Sequence, residues 1–466
     1  MATIFGSFEI GRKALRVQHK GMEVSGQNVA NANTPGYSRQ RVELEAVVPP
    51  IVSGPSLAPG RGVVVTDIIR VRSEFYHAQM VSTGSHKTYW ETRRETYQGT
   101  EAIFMEPDDY GISTYLGGFF DTWQELSSSP EEASVRTGLR EQAISLTRSF
   151  EDVYLRLESL RMDLRGELYM RVDEVNKMAD AISELNEKIR YIDALQQKSN
   201  ELLDQLDLAV EDLAKLVDIR VHRKNNGTVE IFAGGRILVQ EDRAFYLVAE
   251  AGGADQGLQV VSSRGLPLKM NTGRILGLLD SFNKDIPGMQ KNLNDIVTVI
   301  VEDVNEIHSR GYGRDQEDSG YGFFKELQSG IPAALQFVLD DRIIADSANI
   351  AASSNPNEPG NGEIALEIAR LRDHNTPGRL DNVSIAEFYR GMVTKMGSEA
   401  QESQRMMDAF GKTETQLTEL HRSIAGVNMD EEMLNMVQFQ HAWQAAARYL
   451  SYVDEMLTVL FTELGR

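Results

Sequence analysis

Cysteine is absent from all 466 residues, which excludes a disulfide framework, a thiolate zinc site and a cysteine nucleophile, and leaves the redox compartment undetermined. Long apolar runs are absent too. No stretch approaches the roughly 18 residues that a membrane-spanning helix requires, and near the start Phe8 is followed by Glu9, Arg12 and Lys13 rather than by the apolar core of a secretory signal. Positive charge is scarce: 48 Lys and Arg against 69 Asp and Glu leave a net charge of −21, which phosphate backbones and anionic lipid would repel. No nucleic-acid and no membrane partner is expected, and these properties alone suggest a cytosolic protein.

What is present is size and pattern. The length predicts about three domains of usual size, with volume enough for real cores. Near the start, an amphipathic segment runs into Asn28–Arg39, NVANANTPGYSR, a stretch crowded with residues that stop a helix. The amides of Asn31 and Asn33 compete for backbone hydrogen bonds, Pro35 pushes Thr34 out of the helical region, and Gly36 suits the positive φ of a type II turn. From Ser38 to Val48, Val42, Leu44, Ala46 and Val48 fall at strand spacing, so the segment reads helix, sharp turn, strand. On turn chemistry alone, an ordinary surface turn is the favoured reading.

The clearest periodicity is at the other end. Met429, Met436, Trp443, Leu450, Leu457 and Leu464 stand seven apart, with Phe439, Ala446, Val453 and Leu460 in the second seam, an a/d pattern long enough for a coiled coil. The N-terminal segment has two apolar faces, Phe8, Leu15, Met22 and Val29 on one and Ile10, Ala14, Val17 and Val24 on the other, and two faces need two partners. Its Arg12, Lys13, Arg16 and Lys20 could complement Asp430, Glu431, Glu432, Asp454 and Glu455; solvated faces explain both sets as well.

Between the ends, a long helical stretch runs from about Glu131 to Val217, interrupted by the polar residues Asn186, Asp204 and Asp207. Short apolar segments punctuated by Asn226-Gly227, Gly234-Gly235 and Gly252-Gly253 follow, the first a strong hairpin signal. The chain thus divides into 1–60 (helix, turn and strand), 61–217 (long helices), 218–271 (a β domain), 272–310 (return helices broken near Pro287-Gly288), 311–380 (irregular, rich in Gly, Asn and Pro) and 381–466 (C-terminal helices). Ser384 with Glu387 predicts a capping box at the last of these. The fold class is mainly α with a smaller β domain, an elongated multidomain chain whose terminal helices pair as a coiled coil.

Chemistry is harder to find. Ser281-Phe-Asn-Lys284 satisfies S-x-x-K without the S-D-N or K-T-G that would complete an acyl-transfer set. Asp315 to Glu326 has the length of a calcium loop, but Glu317 and Ser319 fit its positions 3 and 5 poorly and Gly311 and Gly313 break the helix it needs, so a Gly-rich surface loop is expected. The eight histidines show no metal-binding spacing, His441 reads as solvent-facing, and no phosphate-binding loop occurs. No catalytic residue, metal site or cofactor is expected, and the chain does not read as an enzyme.

The two ends carry a resemblance. Asn28 to Arg41, with Asn28, Asn31, Asn33, Thr34, Pro35, Gly36, Tyr37, Ser38 and Arg39 as the motif, resembles the N-terminal signature of the axial proteins of the bacterial flagellum: rod, hook and hook-associated proteins. Ser423 to Leu464 resembles the matching C-terminal signature. Ser38, the order of Val175–Arg190, Ser199–Val217 and Phe232–Gln240, and Val304–Gly313 with Gly322-Phe323-Phe324 behind it, are similar to the hook-associated protein 1 family within that group. Leu206 stands where that family commonly has arginine, and the shorter chain implies a reduced outer domain.

The resemblance implies a structural subunit joining hook to filament, with terminal helices lining an inner tube and the β domain outward. Its implied partners are further copies of itself in a helical layer, the hook protein, the next hook-associated protein on the filament side, the flagellar export apparatus, and an export chaperone at the C-terminal helix. It also implies an extracellular location reached without a cleaved signal peptide, which overrides the cytosolic reading. A hook or rod protein is the alternative within the family. A cytosolic coiled-coil scaffold explains the heptads but not the paired signatures, and an enzyme with a site assembled from distant residues has no local motif behind it.

Overall fold

The computed structural model describes residues 2–47, 60–106, 111–252, 257–315 and 320–464. Helix α1 (Ala2–Asn31) opens the chain and ends where its own residues compete with it. Asn31 Nδ2 donates to Gln27 O at 3.0 Å and Thr34 Oγ1 to Asn31 Oδ1 at 3.2 Å. Tyr37 N then closes on Thr34 O at 3.2 Å, with Gly36 at φ +76° as a type II turn demands. Strand β1 (Gln40–Ala46) follows and pairs antiparallel with β2 (Val63–Arg70), from Gln40 opposite Arg70 to Ala46 opposite Val63, with a bulge after Glu43. Val48 lies outside the described residues. The strand β2 corrects the assignment of 61–217 to helices: VVVTDIIR is a β-branched run short enough to be a strand.

The body is built on long helices. Helix α2 (Glu74–Phe104), α3 (Ile112–Ser128), α4 (Ala133–Ala194) and α5 (Asn200–Leu216) come first. At 62 residues, α4 spans about 90 Å. The continuous helix expected from Glu131 to Val217 is broken: Gln196 turns with φ +56° and Ser199 caps α5 by accepting from Leu202 N. A reversal there lets α5 pack back on α4.

The β structure sits on α4. Strands β3 (Ile219–Arg223), β4 (Val229–Ala233), β5 (Arg236–Gln240) and β6 (Arg243–Ala244) form an antiparallel sheet in sequence order, and β7 (Leu247–Ala251) with β8 (Leu258–Ser262) forms a separate hairpin. Gly227 (φ +86°) lies in the β3–β4 turn, and Gly234 (φ +52°) with Gly235 (φ +79°) makes the two-residue β4–β5 turn. Asn186 of α4 is not an interruption but an anchor. Its amide donates to Val229 O and Glu241 O at 2.9 and 2.8 Å and accepts from Val229 N at 2.9 Å.

Helix α6 (Arg274–Asp280), a π turn (Ser281–Asp285) and α7 (Ile286–His308) run on without the break expected at Pro287. The π turn absorbs the missing proline donor by widening the ladder, Ile286 N reaching back to Ser281 O. Segment 311–380 is irregular but not a surface loop. Phe323, Phe324 and Phe337 are buried in it and join Phe119, Trp123 and Phe150 in one aromatic core, while α8 (Asp341–Ala345) and α9 (Glu363–Arg370) break up the coil.

Helix α10 (Ile385–Ala425) begins with the Ser384–Glu387 capping box and runs antiparallel along α2, tied by Tyr389 to Glu106 and by Lys87 to Glu414. Helix α11 (Met429–Leu464) then returns to α1.

Candidate assembly site

The signature turn is a four-way junction centred on Asn28, which is 1% exposed. Its Nδ2 donates to Gln40 O at 2.9 Å and to Glu432 Oε2 at 3.1 Å, while its Oδ1 accepts from Gln40 N at 2.9 Å and Tyr37 Oη at 2.8 Å. One amide thus ties α1, the turn, β1 and the start of α11, and burial beside Asp204 and Glu201 pushes the Tyr37 hydroxyl up to about 12. Arg39 donates to Glu432 at 2.7 Å and Glu431 at 3.1 Å, and its backbone N to Ala425 O at 2.9 Å at the end of α10. Ser38 N donates to Asp204 on α5 at 3.1 Å. Thr34, Pro35, Gly36 and Asn33 are exposed, and their part is to shape the turn.

From this junction α1 and α11 run antiparallel, with Asn28 beside Glu432, Gly21 beside Phe439 and Gly11 beside Leu450. The glycines let the axes close up: a Cβ on Gly21 would lie 2.6 Å from the Phe439 ring, and one on Gly11 2.8 Å from Leu450. Val17 and Val24 are buried on the same face of α1. On α11, Val453 is fully buried, and Met436, Phe439, Ala446, Leu450, Leu457 and Leu460 are partly buried. Met429 and Trp443 remain 49% and 38% exposed, and the side chain of Leu464 lies outside the described ones.

The charge match between the ends is not the one the sequence suggests. Arg12 pairs with Glu9 and Lys20 with Glu23 on α1 itself, while Glu431 and Glu432 take Arg39. Local partners three residues apart are always in reach on a helix, whereas opposite faces are not. The glycine seats carry the junction without any sequence signal, whereas Glu432 reads in sequence as a partner for the basic residues of α1 and Asp204 as a helix interruption, and both instead serve the turn. Gly11 and Gly21 stand close to three helical turns apart, a spacing that does not by itself say what packs against them.

Away from the pair, the same two helices present apolar side chains to solvent: Phe5, Met433, Leu434, Val437, Tyr452 and Met456. So broad an exposed apolar surface marks an interaction site. Among the described residues no three His, Asp or Glu cluster to hold a metal, and residues 316–319 of the calcium-loop candidate lie outside the description. Ser281 is buried in the π turn while Lys284 points out to Asp280 at 2.6 Å, so the S-x-x-K pair does not meet as a nucleophile and base. No described helix is long and apolar enough to cross a membrane.

The profile of the flagellar hook-associated protein FlgK helical domain matches residues 97–324, and that of the flagellar basal body rod FlgEFG protein C-terminal region matches 423–461. Flagellar hook-associated protein 1 of Bacillus subtilis (strain 168) is 29% identical over 100% of this chain and 99% of its own. Along its whole length the chain is thus similar to flagellar hook-associated protein 1. Flagellar hook-associated protein 1 of Escherichia coli (strain K12) is 22% identical over 96% of this chain and 97% of its own. In fold, the chain is similar to the flagellar hook junction protein FlgK from Burkholderia pseudomallei, with a TM-score of 0.63 at 15% identity, covering 74% of this chain and 100% of that one. These likenesses place the chain in the flagellum as a structural protein.

Proposed function

We propose that this protein is a structural subunit that joins the flagellar hook to the filament and is needed for filament assembly and motility. The observation that carries the reading is the antiparallel α1–α11 pair, closed on one face by the glycine seats and left apolar on the other. A subunit built this way completes its core only against its neighbours. Its partners are then further copies of itself in a helical layer, the hook protein on one side and the next hook-associated protein on the other. The flagellar export apparatus, reading an uncleaved N-terminal segment, and a chaperone on the exposed face of α11 complete the set. The protein works outside the cell, as architecture rather than as an enzyme.

Electron microscopy of flagella from cells lacking the protein, with the medium assayed for filament subunits, tests this. Intact hooks without filaments, and filament protein shed to the medium, are the expected outcome. The match of 423–461 to a rod-protein profile favours one second reading, a hook or rod component, for which hooks themselves would be missing. Normal flagella would overturn both.

A further inference from the structure

Helix α5 carries a stripe of polar residues, Asn200, Asp204, Asp207 and Glu211, spaced to share one face. Each takes a partner from outside α5. Asn200 Nδ2 donates to Ile68 O on β2 at 2.9 Å and to the Gln40 side chain at 3.2 Å. Asp204 accepts from Ser38 N at 3.1 Å and from Arg70 at 2.8 Å. Asp207 receives Arg70 at 2.8 Å together with Arg72, which follows β2, and Arg223 from the outer sheet. Glu211 meets His77 of α2 at 3.0 Å. The carboxylates of Asp204 and Asp207 and the Arg70 guanidinium are all about nine-tenths buried.

The stripe therefore gathers contacts from each part of the molecule: the axial unit of α1, β1, β2 and α11, the helical body, and the β3–β6 sheet. Such a contact differs from a packed core. Apolar side chains interlock in one arrangement, whereas three guanidinium groups around one carboxylate can exchange partners at nearly constant charge balance. A spare donor is already in place, since Arg72 Nε is buried without a hydrogen bond. We infer that the α5 stripe is an ionic joint that sets the angle between the axial unit and the body, and permits that angle to change by exchange of ion partners while both cores stay packed. Asp207 is its pivot and a positioning residue for assembly.

The absence of cysteine makes the test clean. Spin labels at Glu45→Cys on β1 and Lys188→Cys on α4, both exposed positions, report the distance between the two units by pulsed electron resonance, and amide exchange of α2 and α4 reports the body. Asp207→Asn is expected to broaden or shift the distance distribution relative to the parent chain while protection in α2 and α4 is kept. An unchanged distribution overturns the inference, and so does a broadening that comes with lost protection in α2 and α4, which would make the stripe ordinary core. If Asp207→Asn fails to fold, Arg70→Gln removes the axial partner instead and is judged by the same two outcomes. The measurement is made on the isolated chain, so its result is independent of whether filaments depend on the protein.

Discussion

At the scale of single residues, asparagine does the stapling. Asn28, Asn176, Asn186, Asn283 and Asn305 all lie in helical segments, and each pairs its side-chain amide with both N–H and C=O of one distant residue: Gln40, Leu247, Val229, Leu258 and Phe324 in turn. The amide copies the donor and acceptor of a peptide group, so it ends a strand against a helix with no polar atom left over. Asn186→Ala leaves Val229 N buried and unpaired, and is expected to lower stability by about 1–3 kcal/mol, read from denaturant midpoints. Asn186→Asp is expected to be no better, since a carboxylate cannot donate to Val229 O.

His308 is the second residue-scale case. It is fully buried, donates from Nδ1 to Tyr321 O at 3.0 Å and accepts Ala351 N on Nε2 at 2.9 Å, which fixes the neutral ring. Burial holds it down at about 4. Between pH 6.5 and about 4 the unfolded chain binds a proton that the folded one does not, so stability falls as pH is lowered through that window and is unaffected by this group above it. The total is about 3 kcal/mol by the end of the window. Denaturant titrations at pH 7.5 and 4.5 are expected to differ less for His308→Gln than for the parent chain.

At the scale of elements, α1 and α11 show what glycine spacing does. Gly21→Ala puts a methyl group into the Phe439 ring, and is expected to cost about 1–3 kcal/mol of pairing despite the better helix propensity of alanine. Gly26→Ala has nothing within 4 Å to meet and is expected to gain up to about 1 kcal/mol. Helical melting followed by circular dichroism separates the two, and a shared direction would refute the close approach. The heptads located α11, and the turn chemistry located the end of α1, because both signals are local. The glycine seats were not legible, since a glycine in a helix reads as a weakness until its neighbour is known.

At the scale of the whole molecule, the two ends form one unit and the middle another. Leu450→Asp places a charge against Gly11 in the seam and is expected to abolish incorporation into flagella. Trp443→Asp acts on a side chain still 38% exposed, and is expected to abolish incorporation through the subunit contact instead. Both are expected to leave the β3–β6 sheet folded, as judged by its amide exchange. Normal assembly of either variant would remove the seam from the mechanism.

Sequence by itself determined what depends on near neighbours: the helix stop at Asn31–Gly36, the capping box at Ser384, the glycine turns of the β3–β6 sheet, the heptads of α11, and the paired signatures that carry the flagellar resemblance. Tertiary structure decided where polar residues inside apolar patterns go. Asp204 and Asp207 interrupt a heptad when read along the chain, yet in the fold they meet Arg70, Arg72 and Arg223 from segments as many as 137 residues away. Segment 311–380 likewise looks like loop by composition and packs as core, because Phe323 and Phe324 find Phe119 and Trp123 on a distant helix. A pattern along the chain reports the period of an element, but a buried charge or a ring in a loop is stable only through partners that folding brings to it.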